Sequence, residues 1–289
     1  MIFFCISIIL YLVQNFSNKQ FGRLCAHSSA GVSLVQNGVC TLSAAIVLIL
    51  FGNVEILPAR FMMYAFLFGG VYIFTVFLLL KAFMQGPMGA STLLCNMGMF
   101  ISAFYGVIRF NDDFTLYIAA GSILMLVSII LSTPKEKAGE SAGWQWFLFA
   151  MGSGLSNGVV ASVKREAISM AGVSADNFLI WGFIFASIIA FFTISINKDR
   201  LSDAKKVISD KKLILCGVFA GVGTAGGNLF QMLAMDTVSS AIVYPFTAGV
   251  LVISLYLASL LIYKEIGFRL KNAIAVSLCI VAIILINIK

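Results

Sequence analysis

Charge is what this sequence has least of. Asp, Glu, Lys and Arg make up 11% of its 289 residues, against about 25% in an ordinary soluble domain. With 61% hydrophobic residues and a mean hydropathy of +1.03, one aqueous core could not hide the apolar surface, and a soluble fold would aggregate. Long polar stretches are also missing. The longest clear one, Asn197 to Lys212, is about one loop, which leaves no room for an aqueous catalytic or receptor domain. Histidine is down to one residue, His27, read as a solvated loop residue. The six cysteines, Cys5, Cys25, Cys40, Cys95, Cys216 and Cys279, form no CxxC pair, so they read as small hydrophobes and not as zinc or redox groups. No P-loop, HExxH or GxSxG motif is present. No catalytic residue, metal or cofactor is therefore assigned, and the chain is not read as an enzyme. The net charge of +7 sits mainly between apolar runs, which points to topology and membrane lipid headgroups, not nucleic acid.

What is present is a succession of apolar runs, each near the roughly 20 residues that a bilayer crossing requires. There are ten, at about 2–21, 29–51, 60–84, 88–109, 114–132, 144–164, 177–196, 212–235, 238–263 and 268–288. Their continuity favours helices over an alternating barrel. The first run lacks a basic leading segment and a cleavage site of small residues, so it reads as a span and not as a signal peptide. The fold expected is all-α integral membrane, with ten transmembrane helices as two inverted five-helix repeats. Residues 1–134 form the first, 135–143 a linker, and 144–289 the second. The two halves share a layout: Ala82–Ser132 and Ala234–Asn287 each begin with Ala and Met at a helix end. A small-residue helix start follows, Gly89-Ala90-Ser91 or Ser239-Ser240-Ala241, then a long helix ending at acids, Asp112-Asp113 or Glu265. Five is odd, so a second copy must cross the membrane inverted, a recurrent transporter plan with its site at the repeat interface.

Polar side chains in such helices are costly toward lipid and turn to the protein interior or to a water-filled cavity. In the first run Ser7, Tyr11, Gln14 and Asn18 share a face, flanked by Asn15 and Lys19. In the sixth, Ser153, Asn157 and Lys164 do so, beside Ser156. The eighth carries Thr224, Asn228 and Gln231, with Gly217/Gly221 and Gly223/Gly227 as GxxxG packing pairs. The ninth carries Ser240, Tyr244 and Thr247 beside Pro245, which is either a hinge or a structural kink. Tyr72 and Thr75 come from the third run, and Ser91, Thr92, Cys95 and Asn96 from the fourth. Each stripe either lines a cavity or hydrogen-bonds between helices. The acids Asp112, Asp113, Glu166, Asp176, Asp236 and Glu265 all fall near run ends. That argues against a proton antiporter built on one deep carboxylate. Lys19 and Lys164 would give a cavity a positive bias favouring a carboxylate or phosphate.

The two five-run halves and their matched segments resemble the drug/metabolite transporter superfamily, in particular its ten-helix EamA-type members. The resemblance implies a secondary transporter, facilitator, exchanger or exporter, for a small-molecule solute in a cell membrane, plasma or inner. Such proteins usually carry Gly-Glu after the fourth helix of each half, where this chain has Asn111-Asp112-Asp113 and Lys264-Glu265. They often have a proline in that helix, which Pro245 matches in the second half and Leu94 or Cys95 replaces in the first. The alternatives are a membrane-embedded enzyme and a structural or assembly subunit. Fourteen Lys and Arg fall on one side of the expected topology and five on the other, so the positive-inside rule places both termini outside. The resemblance implies both termini in the cytoplasm.

Overall fold

The structure is a computed structural model that describes residues 2–25, 29–86, 88–111, 115–132, 144–170, 174–235, 238, 240–263 and 270–286. The 135–143 linker, His27, Asp112, Asp113, Asp236 and Glu265 lie outside the described residues. Twelve helices are described: α1 Ile2–Leu24, α2 Ala30–Phe51, α3 Ala59–Gln85, α4 Met88–Cys95, α5 Gly98–Phe110 and α6 Leu116–Ser132, then α7 Trp144–Ser169, α8 Ala175–Ser195, α9 Lys198–Ser209, α10 Lys211–Met235, α11 Ser240–Leu261 and α12 Leu270–Ile286. Seven of the described helices are long and apolar enough to cross a membrane: α1, α2, α3, α7, α8, α10 and α11. The chain is a multi-pass, all-α integral membrane protein.

The distribution of side chains is the reverse of a soluble protein's. Phe74 and Leu155, in the middle of α3 and α7, are 55% and 56% exposed, while Asn18, Ser153 and Thr224 are buried to 1% or less. Hydrocarbon accepts the apolar surface, and the polar groups turn to the protein interior.

Two expectations need correction. The run at 88–109 is not one helix. It breaks at Asn96 and Met97 into α4 and α5, of 8 and 13 residues. The polar stretch from Asn197 to Lys212 is not a loop but mostly the helix α9. Asn197 caps it, its Oδ1 accepting from the Asp199 and Arg200 amides at 2.9 and 3.4 Å. Ala204 and Val207 bury its narrow apolar face beside α2, where the Ser29 hydroxyl donates to Asp203.

Glycine sets the close approaches that position the centre. Because hydrocarbon offers no hydrophobic drive between helices, contact distance matters most. At the α4–α5 break, a Cβ on Gly98 would fall 2.1 Å from the Gly154 carbonyl oxygen, and one on Gly154 would fall 2.4 Å from that of Leu94. The break therefore rests directly on the α7 backbone. The GxxxG pairs of α10 face two neighbours: Gly217 and Gly221 meet Val39, Cys40 and Ser43 of α2, and Gly223 and Gly227 meet Leu10, Tyr11 and Gln14 of α1. The major pairings are α1 with α10, α3 with α7, α2 with α8, α2 with α10, α3 with α8, and α6 with α12. Asn111 ends α5 in the left-handed conformation, φ 52°, which asparagine tolerates better than most residues.

Candidate functional site

Helices α1, α3, α4, α5, α7, α10 and α11 enclose a central cavity of about 120 Å³. That is room for several waters or for a small organic molecule. Of the polar residues singled out above, Tyr11, Gln14, Asn15, Tyr72, Thr75, Thr92, Asn96, Ser153, Asn157, Lys164, Asn228, Gln231, Tyr244 and Thr247 line it. Apolar wall is supplied by Val76, Leu79, Val160, Ala161, Ala248 and Leu251. Residues 220 positions apart in the chain thus share one chamber.

Lys164 organises one side. It is 3% exposed and is the one charged residue among the described residues that line the cavity. Its Nζ donates to Asn228 Oδ1 at 3.0 Å and to Gln231 Oε1 at 2.6 Å. Tyr11 donates its hydroxyl to the same Gln231 oxygen at 3.0 Å. The ammonium also lies 5.7 Å from the centre of the Tyr244 ring, within range of a cation–π attraction. The Tyr244 hydroxyl is held in turn, donating to the Ala161 carbonyl at 2.8 Å. Lysine, amide and two phenols are therefore fixed by one another across α1, α7, α10 and α11.

Tyr72 organises the other side. Its ring packs among Phe68 and Phe183 with centroids 5.5 and 5.3 Å away, contacts that favour one ring orientation. Its hydroxyl accepts from Gln14 Nε2 at 3.0 Å and donates to Thr224 Oγ1 at 3.3 Å. Ser153 donates to the Thr75 carbonyl at 3.0 Å, tying α7 to α3. Asn15 and Asn96 donate back to the Tyr11 and Thr92 carbonyls of their own helices, both at 2.8 Å.

Three candidates are placed differently. Lys19 is not in the cavity wall. Its Nζ donates to the carbonyls of Phe83 and Gly86 at 3.2 and 3.3 Å, at the C-terminal end of α3 where helix carbonyls lack amide partners. Asn18 is fully buried away from the cavity. Thr224 lies behind the wall, bonded to Tyr72 and 3.4 Å from Cys40 Sγ. The side chain of Ser240 lies outside the description, as does that of Pro245, although both residues belong to α11. The sequence reading missed Ser102 and Gly98, which join the lining. The α4–α5 break resets helical phase between Asn96 and Ser102, so no single helical wheel aligns them.

Aromatic and basic groups also cluster beyond the chamber, where its helices end. Where α1, α3 and α11 end, Phe16 stacks on Tyr263 with centroids 6.3 Å apart, and Arg23 lies 5.3 Å over the same ring. Where α5 and α7 end, Arg165 lies 4.9 Å over Phe110, and Glu166 accepts from Arg109 at 3.3 Å and Tyr105 at 3.1 Å. These two clusters lie at opposite ends. Trp146, near the start of α7, packs against Gly86 beside Lys19, and Arg165 is about 28 Å further along at 1.5 Å per residue.

No known protein-family profile matches the chain, and no curated protein matches it. Among solved structures, 28 chains match. One, described only as a crystal structure of a protein, superposes with a TM-score of 0.71 at 12% identity, over 99% of this chain and 95% of its own. At that identity the likeness concerns the fold alone.

Proposed function

We propose that the chain is a secondary transporter of a small polar metabolite, working by alternating access between two inverted sets of five helices. One set is α1, α2, α3, α4–α5 and α6. The other is α7, α8, α10, α11 and α12. The carrying observation is the central polar cavity, drawn from matching helices of both sets. The pairings support the same reading. Exchanging the sets turns α1–α10 into α7–α3, and α2–α10 into α8–α3. It turns α1–α11 into α7 with α4 and α5. The pairs α2–α8 and α6–α12 map onto themselves. Each of these pairings is present. The clusters Arg23–Tyr263 and Arg165–Phe110 correspond in the same way, one toward each end of the helices.

The membership implied by the resemblance, in the ten-helix EamA-type drug/metabolite transporters, belongs to this proposal, as does placement in a cell membrane. Asn111 suits it, since a left-handed residue stands where glycine is usual. A structural subunit would have no use for a chamber in which Asn15, Asn96, Asn157 and Lys164 face a common space.

The test is flux of isotope-labelled small metabolites into proteoliposomes. Saturable uptake that is lost in Asn157→Trp, which fills the chamber, is expected. Uptake unchanged by that substitution would overturn the reading.

A further inference from the structure

The cavity holds one cation and, among its described lining residues, no acid. Isolated charge in a protein interior is expensive, and the cost is relieved by an opposite charge within hydrogen-bond reach. Lys164 receives only partial relief from its surroundings. Its two amide partners, Asn228 and Gln231, are neutral, and the Tyr244 ring offers only a quadrupole. An ammonium has three protons, of which two go to these amide oxygens.

Resting on the reading of the cavity as the solute site, we infer that the solute is a small organic monocarboxylate. Its carboxylate seats on Lys164, and at least one further hydroxyl or amino group meets the asparagines of the wall. Two observations set the class. A lone lysine balances one negative charge, whereas a phosphate monoester carries about 1.5–2 and would leave excess negative charge in the chamber. The volume of about 120 Å³ is on the scale of a small organic molecule. Asn157 lies two helical turns from Lys164 on the same face of α7, and Asn15 and Asn96 face the chamber from α1 and α4–α5. These amides offer both donors and acceptors, which fits the neutral end of a hydroxy acid or the ammonium of an amino acid.

The experiment uses matched pairs of probes on the purified full chain: acetate, L-lactate and L-alanine against acetamide, L-lactamide and L-alaninamide. Each pair differs in the carboxylate and little in size. Binding is read by melting temperature across a concentration series, since a ligand of the folded state raises it. At least one acid should bind about tenfold or more tightly than its amide, the scale of a charge-assisted hydrogen bond. Lys164→Met should reduce that preference to about twofold or less, and Lys164→Arg should keep part of it. If no acid outperforms its amide on the wild-type chain, the inference is overturned without any variant having to fold. If the preference persists in Lys164→Met, the carboxylate sits elsewhere and the inference also fails. Failure of the transport reading looks different: acids would bind through Lys164, yet none would cross the bilayer of proteoliposomes.

Discussion

Lys19 and Lys164 look like equivalents in the sequence, each closing a polar stripe on a helix that opens one half of the chain. The structure gives them opposite tasks. Lys19 neutralises the bare carbonyls of Phe83 and Gly86 at the end of α3 and so holds two helices together. Lys164 faces the chamber, with side-chain amides that belong to the cavity wall. The lesson is one of register. The α1 lysine falls where a neighbouring helix ends and offers unpaired acceptors. The α7 lysine falls beside Asn228 and Gln231, still inside α10, where the backbone is already paired. A buried lysine is a joint between helices or part of a cavity wall according to what the facing helix leaves unsatisfied.

The largest expected effect separates these two tasks. Lys164→Met should abolish the preference for acids over amides while leaving the fold intact. Lys19→Met should do the reverse. It removes two charge-assisted bonds to helix-end carbonyls and should cost about 1–3 kcal/mol of stability, read as a lowered melting temperature. Its ligand preference should match the wild type's. If Lys19→Met alters acid binding as strongly as Lys164→Met, the contrast is wrong.

A smaller effect should come from Gln231→Ala. Gln231 Oε1 accepts from both Lys164 and Tyr11, so its loss loosens the lysine without removing the charge. Acid binding should weaken by about tenfold or less, consistent with one bond of about 1–1.5 kcal/mol. An equal loss for acids and their amides would place Gln231 in general packing instead.

The smallest effect concerns the two aromatic–arginine clusters. Arg23→Ala and Arg165→Ala each remove one cation–π contact, worth about 0.5–1 kcal/mol at exposed sites. Each should shift the balance between inward-open and outward-open states by about two- to fivefold, and in opposite directions. The readout is the rate at which a single cysteine at Asn157 reacts with an impermeant thiol reagent from either side of the membrane. Shifts in the same direction would deny the clusters equivalent roles.

Much of the helical plan could be read from hydrophobic runs, because lipid requires long uninterrupted apolar stretches with their backbone paired internally. The faces of α1, α7 and α11 were legible for the same reason: Tyr11, Asn157 and Tyr244 keep helical phase with their polar neighbours. Features that depend on tertiary contact were not. The α4–α5 break rests on Gly98 touching Gly154 across the interface, and nothing local in Asn96-Met97 marks it. Thr224 keeps phase with Asn228, but the Tyr72 hydroxyl reaches over it and closes it off. Helix α9 reads as a loop because its apolar face is only Ala204 and Val207 wide.

The central claim is that the polar chamber is a passage reached from both sides of the membrane. The most direct measurement is modification of Asn157→Cys, in a chain freed of its own cysteines, by a small impermeant thiol reagent added to one side of sealed vesicles and then to the other. Alternating access predicts reaction from both sides, slowed from each by a saturating carboxylate solute. Reaction from one side only, with no effect of solute, would make the chamber a dead-end pocket and contradict the account.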